Sequence, residues 1–308
     1  MDFRKIIQLG HNTSVISLPK RWVDQYNLSK GDALITELYG NSIIFRISEE
    51  QKSTQKEIVI SISKKTTDHV IKRQLISAYE NNATKIIFSG NGLLSHSTFI
   101  TALVESFIGL EIIEQTTNSI VAKTYISTQE INIKTFVKRI DTSLRTAVIE
   151  FFEYFQSKDP RLVADIKQKE VNIDKLSLMM RRVIKERLQQ FTLHDEDPSR
   201  LLDYWDVIKN LEKISDIVAN YSLELEDNII IESLPTQAQK ARELFKKILD
   251  NFYVQNSQKA NIYADELKLL ELDVQKSYAA QTSFDKKHLL HLIIDISELI
   301  REINRLSY

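Results

Sequence analysis

Two pairs of carboxylates, Glu170 with Asp174 and Glu212 with Asp216, stand four residues apart in stretches that read as helix. That spacing sets both acids of a pair on one helical face, one turn from each other. Like charges so placed repel, at a cost of about 0.2–0.5 kcal/mol in an isolated helix. A cation shared between them removes that cost. If the two helices run antiparallel with their acids facing, four carboxylates converge. All-oxygen ligation of this kind favours Mg, Mn or Ca and admits Fe or Zn. The competing explanation is a solvated helix face, because 27% of the chain is charged. The local context speaks for the site: apolar residues crowd both sides of Asp216 between Leu211 and Tyr221, and the Glu170 helix is equally apolar.

The elements that must position these acids follow from hydrophobic spacing. Six helical segments are expected at about 131–156, 160–191, 199–226, 236–256, 258–280 and 285–306. Pro160, Pro198 and Pro235 fall at segment starts, where a proline is tolerated. Ile133, Val137, Ile140, Leu144 and Phe151 recur at helical spacing on the first segment. Short connections make neighbouring helices antiparallel, so two three-helix units are expected over 130–228 and 235–308.

The N-terminal 127 residues have a different pattern. Arg4–Leu9, Ser14–Leu18, Ala33–Tyr39 and Ser42–Ile47 read as strands, the last two a hairpin across Gly40-Asn41. A unit of residues 1–48 with so little apolar area is marginal alone, which points to an obligate dimer with interleaved strands. Glu49 to Gln55 reads as a polar linker. Residues 56–127 alternate between strand and helix (strands at Glu57–Ile62, Lys85–Phe88, Glu111–Glu114 and Ser119–Tyr125, helices at Thr67–Asn82 and Ser97–Ile108), a small α+β unit. The expected fold class is mainly α with a β and α+β N-terminal part.

Composition removes several chemistries. There is no cysteine, hence no disulfide, thiolate ligand or cysteine nucleophile. No Glu-x-x-His pair of the di-metal oxidases occurs, and Gly90-Asn-Gly92 lacks the lysine of a phosphate-binding loop. His11 falls in a turn, His69 at a helix start, His96 in a loop and His194 before a helix, all incidental in this scheme. The start Met-Asp-Phe-Arg-Lys shows no secretory pattern and no apolar run is long enough for a membrane span, so a cytoplasmic location without membrane insertion is expected. A net charge of −1 is no nucleic-acid signature for the whole chain.

At this point the sequence resembles the PhoU family, phosphate-uptake regulators built from repeated three-helix bundles, in the archaeal form with an AbrB-like domain in front. Leu211-Glu-Lys-Ile-Ser-Asp216 resembles the acidic helix motif of that family, and Glu170-Val-Asn-Ile-Asp174 its partner on the preceding helix. Arg4 to Ile47, with Thr13-Ser-Val-Ile-Ser-Leu-Pro-Lys20 and Leu28-Ser-Lys-Gly-Asp32, resembles the swapped-hairpin (SpoVT/AbrB) fold. Ile108-Gly-Leu-Glu-Ile-Ile-Glu114 is similar to the segment that joins these parts.

The resemblance implies a non-enzymatic regulator of phosphate uptake that is a homodimer through its N-terminal domain. Its bundles are expected to hold a divalent or transition metal ion (Mg, Mn, Fe or Zn) on Glu170, Asp174, Glu212 and Asp216. Its expected partner is a phosphate transporter ATPase or a sensor protein. DNA is a further expected partner of the N-terminal dimer, through Arg4, Lys5, Lys20, Arg21 and Arg46, in a salt-sensitive and shape-driven mode. The second bundle departs from the pattern. It offers His291 and Asp295 where the first has Glu212 and Asp216, and Glu266 and Leu270 where the first has Glu170 and Asp174. Imidazole with carboxylate suits zinc or iron, against the alternative of a bundle that keeps only a packing role. Two other functions stay open: an AbrB-type transcriptional regulator with the bundles as scaffold, and a di-metal enzyme.

Overall fold

The acidic pairs lie in a helical array that occupies the C-terminal half of the chain, behind a β-rich N-terminal part. The computed structural model describes residues 3–10, 12–47, 56–189, 197–228 and 236–308. The linker expected at Glu49–Gln55, together with His11, His194 and Pro235, lies outside the described residues. The chain divides into two units, Met1–Thr54 and Gln55–Tyr308.

In the first unit, β1 (Ile7–Leu9) pairs antiparallel with β2 (Thr13–Val15), α1 spans Lys20–Gln25, and β3 (Leu34–Tyr39) pairs with β4 (Ser42–Ile47). The first two strands are shorter than expected, because their ladder extends over only three residue pairs. Tyr39 faces Ser42 across Gly40-Asn41, and Gly40 takes the left-handed φ of 56° that a two-residue hairpin loop needs. None of the described residues of this unit is buried. Phe3 and Leu38 are 87% and 80% exposed, and Ile6, Leu9 and Ile43 are more than half exposed. Two hairpins with their apolar side chains in water have no core of their own.

The second unit begins with a four-stranded sheet. Its strands are β5 (Glu57–Ser61), β6 (Lys85–Ser89), β7 (Leu110–Gln115) and β8 (Ser119–Thr124), in the order β5-β6-β8-β7. Only β5 and β6 are parallel, joined through α2 (Asp68–Glu80). α2 turns Ile71, Leu75, Ala78 and Tyr79 inward onto Ile60, Ile86 and Phe88. α3 (Leu93–Glu105) follows β6. It starts four residues before the expected Ser97, because the chain turns at Gly90 and Gly92 and delivers Leu93 straight into the core. A Cβ on Gly90 or Gly92 would collide with the carbonyls of Ile62 and Ser63, so both positions require glycine. His96 therefore lies within α3, not in a loop, with Nδ1 2.7 Å from Asp68 Oδ1.

Among the described residues six helices follow: α4 (Ile133–Ser157), α5 (Pro160–Gln189), α6 (Pro198–Asn228), α7 (Thr236–Val254), α8 (Ser257–Ala280) and α9 (Phe284–Arg305). The Asn132 side chain accepts from Thr135 N at 2.9 Å and caps α4, and Asn256 does the same for α8. Lys158 enters the left-handed region at φ 54° to end α4, and Pro160 opens α5. Helices α4–α6 pack together, as do α7–α9, and α6 lies against α9. One continuous apolar cluster runs through all six, from Ile140 and Ile173 to Phe252 and Ile300. The protein is thus mainly α, with a β-rich N-terminal part.

Candidate metal centre

Helix α5 turns Ile166, Ile173, Met180 and Ile184 into the core, and α6 turns Val207, Leu211, Ile214 and Val218. These stripes set the rotation of each helix and carry the acids to the edge of the α5–α6 seam. One oxygen each from Glu170, Asp174 and Asp216 lies within 4.8 Å of the others. Oxygens on opposite sides of a cation with bonds of about 2.3–2.6 Å stand about 4.6–5.2 Å apart, so the spacing suits a hard divalent ion. Glu170 is buried, and Asp174 and Asp216 are half-buried.

The electrostatics are those of like charges held together. Burial first, then Glu170, Asp216 and Glu212, pushes the Asp174 carboxyl up to about 7. Burial, Glu212 and Glu170 push Asp216 upward as well. Asp174 Oδ1 is buried with no hydrogen-bond partner, an arrangement that normally demands an explanation. Lys167 Nζ stands 2.7 Å from Glu170 Oε2, out of line for a directed hydrogen bond, and serves as a stand-in cation. Its side chain is 45% exposed, so it can leave. An orphaned oxygen, an all-carboxylate donor set and a displaceable ammonium fit a divalent metal.

Glu212 departs from the converging set. Arg181 Nη2 donates to its Oε2 at 2.5 Å, and Glu212 is not among the three acids that converge. In the second bundle, His291 Nε2 and Asp295 Oδ1 are 3.9 Å apart, and among the described residues no third ligand joins them. Glu266 pairs with Lys247 at 3.1 Å. Of the basic N-terminal residues, Arg4 and Lys5 precede β1, Lys20 and Arg21 open α1, and Arg46 lies half-buried on β4 opposite Ile35.

Three cations near the site were not singled out from sequence. Lys167 sits three residues before Glu170, and Arg181 seven after Asp174, so periodicity alone places both on the acidic face. Arg182 points the other way and is buried. It donates to Tyr79 O at 2.7 Å and Ala83 O at 3.1 Å, across the junction with the α/β sheet, and no local spacing announces those partners.

A six-helix array with paired acids at one seam defines a class of helical-bundle protein with a candidate cation site. Residues 137–224, which span α4 to α6 and contain all four acids of the first bundle, match the family model of the PhoU domain. This stretch therefore supports the likeness to PhoU proteins. No curated protein matches the chain. Among the described residues, no helix is long and apolar enough to cross a membrane.

Proposed function

We propose that this protein is a regulator of phosphate homeostasis, not an enzyme, whose first bundle binds a divalent cation and whose helical surface docks onto a transport or sensor protein. The convergence of Glu170, Asp174 and Asp216 within the stretch that matches the PhoU domain carries this proposal. Glu170, Asp174 and Asp216 would hold the ion, and Glu212 would join once released from Arg181. The ion supplies positive charge that the four acids lack. The chain's own contribution is to hold Glu170, Asp174 and Asp216 close together at a half-buried seam, with Asp174 Oδ1 lacking a hydrogen-bond partner and Lys167 as a displaceable cation on Glu170. Mn2+ titration of chelator-treated protein should show one tight site per chain, lost in Glu170→Gln/Asp174→Asn. Equal binding by wild type and variant would refute the site.

The N-terminal unit is proposed to form an AbrB-like swapped-hairpin dimer. Its lack of any buried described residue supports this, since a second copy offers a matching apolar surface. Light scattering of the full chain should give a dimer mass, falling to a monomer in Leu38→Glu/Ile43→Glu. A wild-type monomer at tens of micromolar would count against it.

The second function, a transcriptional regulator, is favoured by Lys20 and Arg21 at the head of α1, doubled in a dimer. A gel-shift series in salt decides this: no retardation at low salt removes DNA from the scheme.

A further inference from the structure

The guanidinium of Arg181 touches two carboxylates that belong to different parts of the second unit. Nη2 donates to Glu212 of α6, next to the cation site, at 2.5 Å. Nε faces Oε1 of Glu80, in the last turn of α2, at 3.7 Å. That Nε is buried and makes no hydrogen bond. Glu80 Oε2 is already taken by Lys185 at 3.0 Å, whereas Oε1 needs an approach of about 0.8 Å to reach hydrogen-bond distance from Nε. The arginine is fully engaged on one side and poised on the other.

We infer that Arg181 is a relay between the cation site and the α/β unit: when a divalent ion recruits Glu212, Arg181 passes to Glu80 and tightens the end of α2 against α5. This rests on the proposed cation site. Two effects drive it. A divalent ion draws the carboxylate of Glu212 more strongly than a single guanidinium does, and it repels that guanidinium. The freed arginine already has Glu80 Oε1 within ion-pair distance, in a half-buried setting where a charge-assisted hydrogen bond is strong. Arg182 and Lys185, one and four residues further along α5, already fasten α5 to the α2 terminus, so the switch acts on an existing joint.

Linkage makes the inference testable, because each site must alter the other by the same factor. Arg181→Gln frees Glu212 and removes a repelling charge, so Mn2+ should bind about tenfold tighter. Glu80→Gln removes the alternative partner and leaves Arg181 on Glu212, so Mn2+ should bind severalfold more weakly, although Glu80 lies outside the site. In wild type, Mn2+ should slow amide exchange across residues 77–86; in Arg181→Gln it should bind without that slowing. Thermal unfolding of each variant verifies that it is folded, and the wild-type exchange measurement stands without any variant. Mn2+ binding with unchanged exchange at 77–86, or equal affinity in Glu80→Gln and wild type, overturns the relay while leaving the cation site intact. Failure of wild type to bind Mn2+ overturns the site and the relay together.

Discussion

Asp174→Asn should raise the melting temperature of the metal-free protein at pH 8, by less than half as much at pH 5, and leave it nearly unchanged at pH 3. The folded chain holds the Asp174 proton up to about pH 7, whereas the unfolded chain releases it near the ordinary aspartate value of 3.8. Between those values the native state binds more protons than the unfolded state, so stability falls as pH rises towards 7 and then levels off. With the group half-exposed and screened, the loss is about 2 kcal/mol rather than the full value of the shift. Asparagine keeps the shape and has no proton to lose, so it recovers that loss as it accrues from about pH 4 upward, fully above pH 7. A gain of about 4–8 °C for the helical part follows. Mn2+ reverses the order: at a hundred times its dissociation constant it stabilises wild type by about 2.7 kcal/mol, and Asp174→Asn gains little. Scanning calorimetry at both pH values, with chelator and with Mn2+, reads all of this. A variant less stable than wild type at pH 8 in chelator contradicts the account.

Arg182→Met should have the other large effect, at the joint between the sheet and the bundle. Arg182 is buried, stacks over the Tyr79 ring at 5.0 Å and satisfies the carbonyls of Tyr79 and Ala83. Burial lowers its pKa, with Tyr79 and Glu186 opposing, and it stays cationic. Methionine replaces part of the packing and none of the donors; Tyr79 O keeps Asn82 N and Ala83 O keeps the Thr124 hydroxyl, so the cost is the loss of two charge-assisted hydrogen bonds and the ring contact, about 3 kcal/mol. The damage should be local: amide exchange should quicken in α2 and β6 while the α7–α9 bundle keeps its protection. Lysine should not rescue, since a point charge cannot reproduce the planar contact with ring and carbonyls. Uniform destabilisation across the chain would show that the joint is not where Arg182 acts.

Much of this was legible from local pattern. Apolar spacing located the helices, and prolines at 160 and 198 marked two starts to within a residue of the observed Pro160 and Pro198. Gly40-Asn41 announced its hairpin. The four-residue spacing of the acids, together with antiparallel packing, foretold that α5 and α6 bring carboxylates together. What spacing could not show was the fate of Glu212, because Arg181 lies 31 residues earlier on another helix. Arg182 and Glu80 were invisible for the same reason: their partners are about a hundred residues away and are chosen by the fold. His96 was misplaced because glycine at 92 was taken as loop, when a sharp reversal lets a helix begin at once.

The unbroken apolar core through α4–α9 carries one more consequence. Crowded like charges strain the first bundle, and alone it would tend to splay at its acidic edge. Fused through α6 and α9 to a neighbour without such a cluster among its described residues, it shares that neighbour's cooperativity. The α7–α9 helices thus serve as ballast, and a cavity carved into them, for instance by Ile300→Ala, would loosen cation retention from a distance.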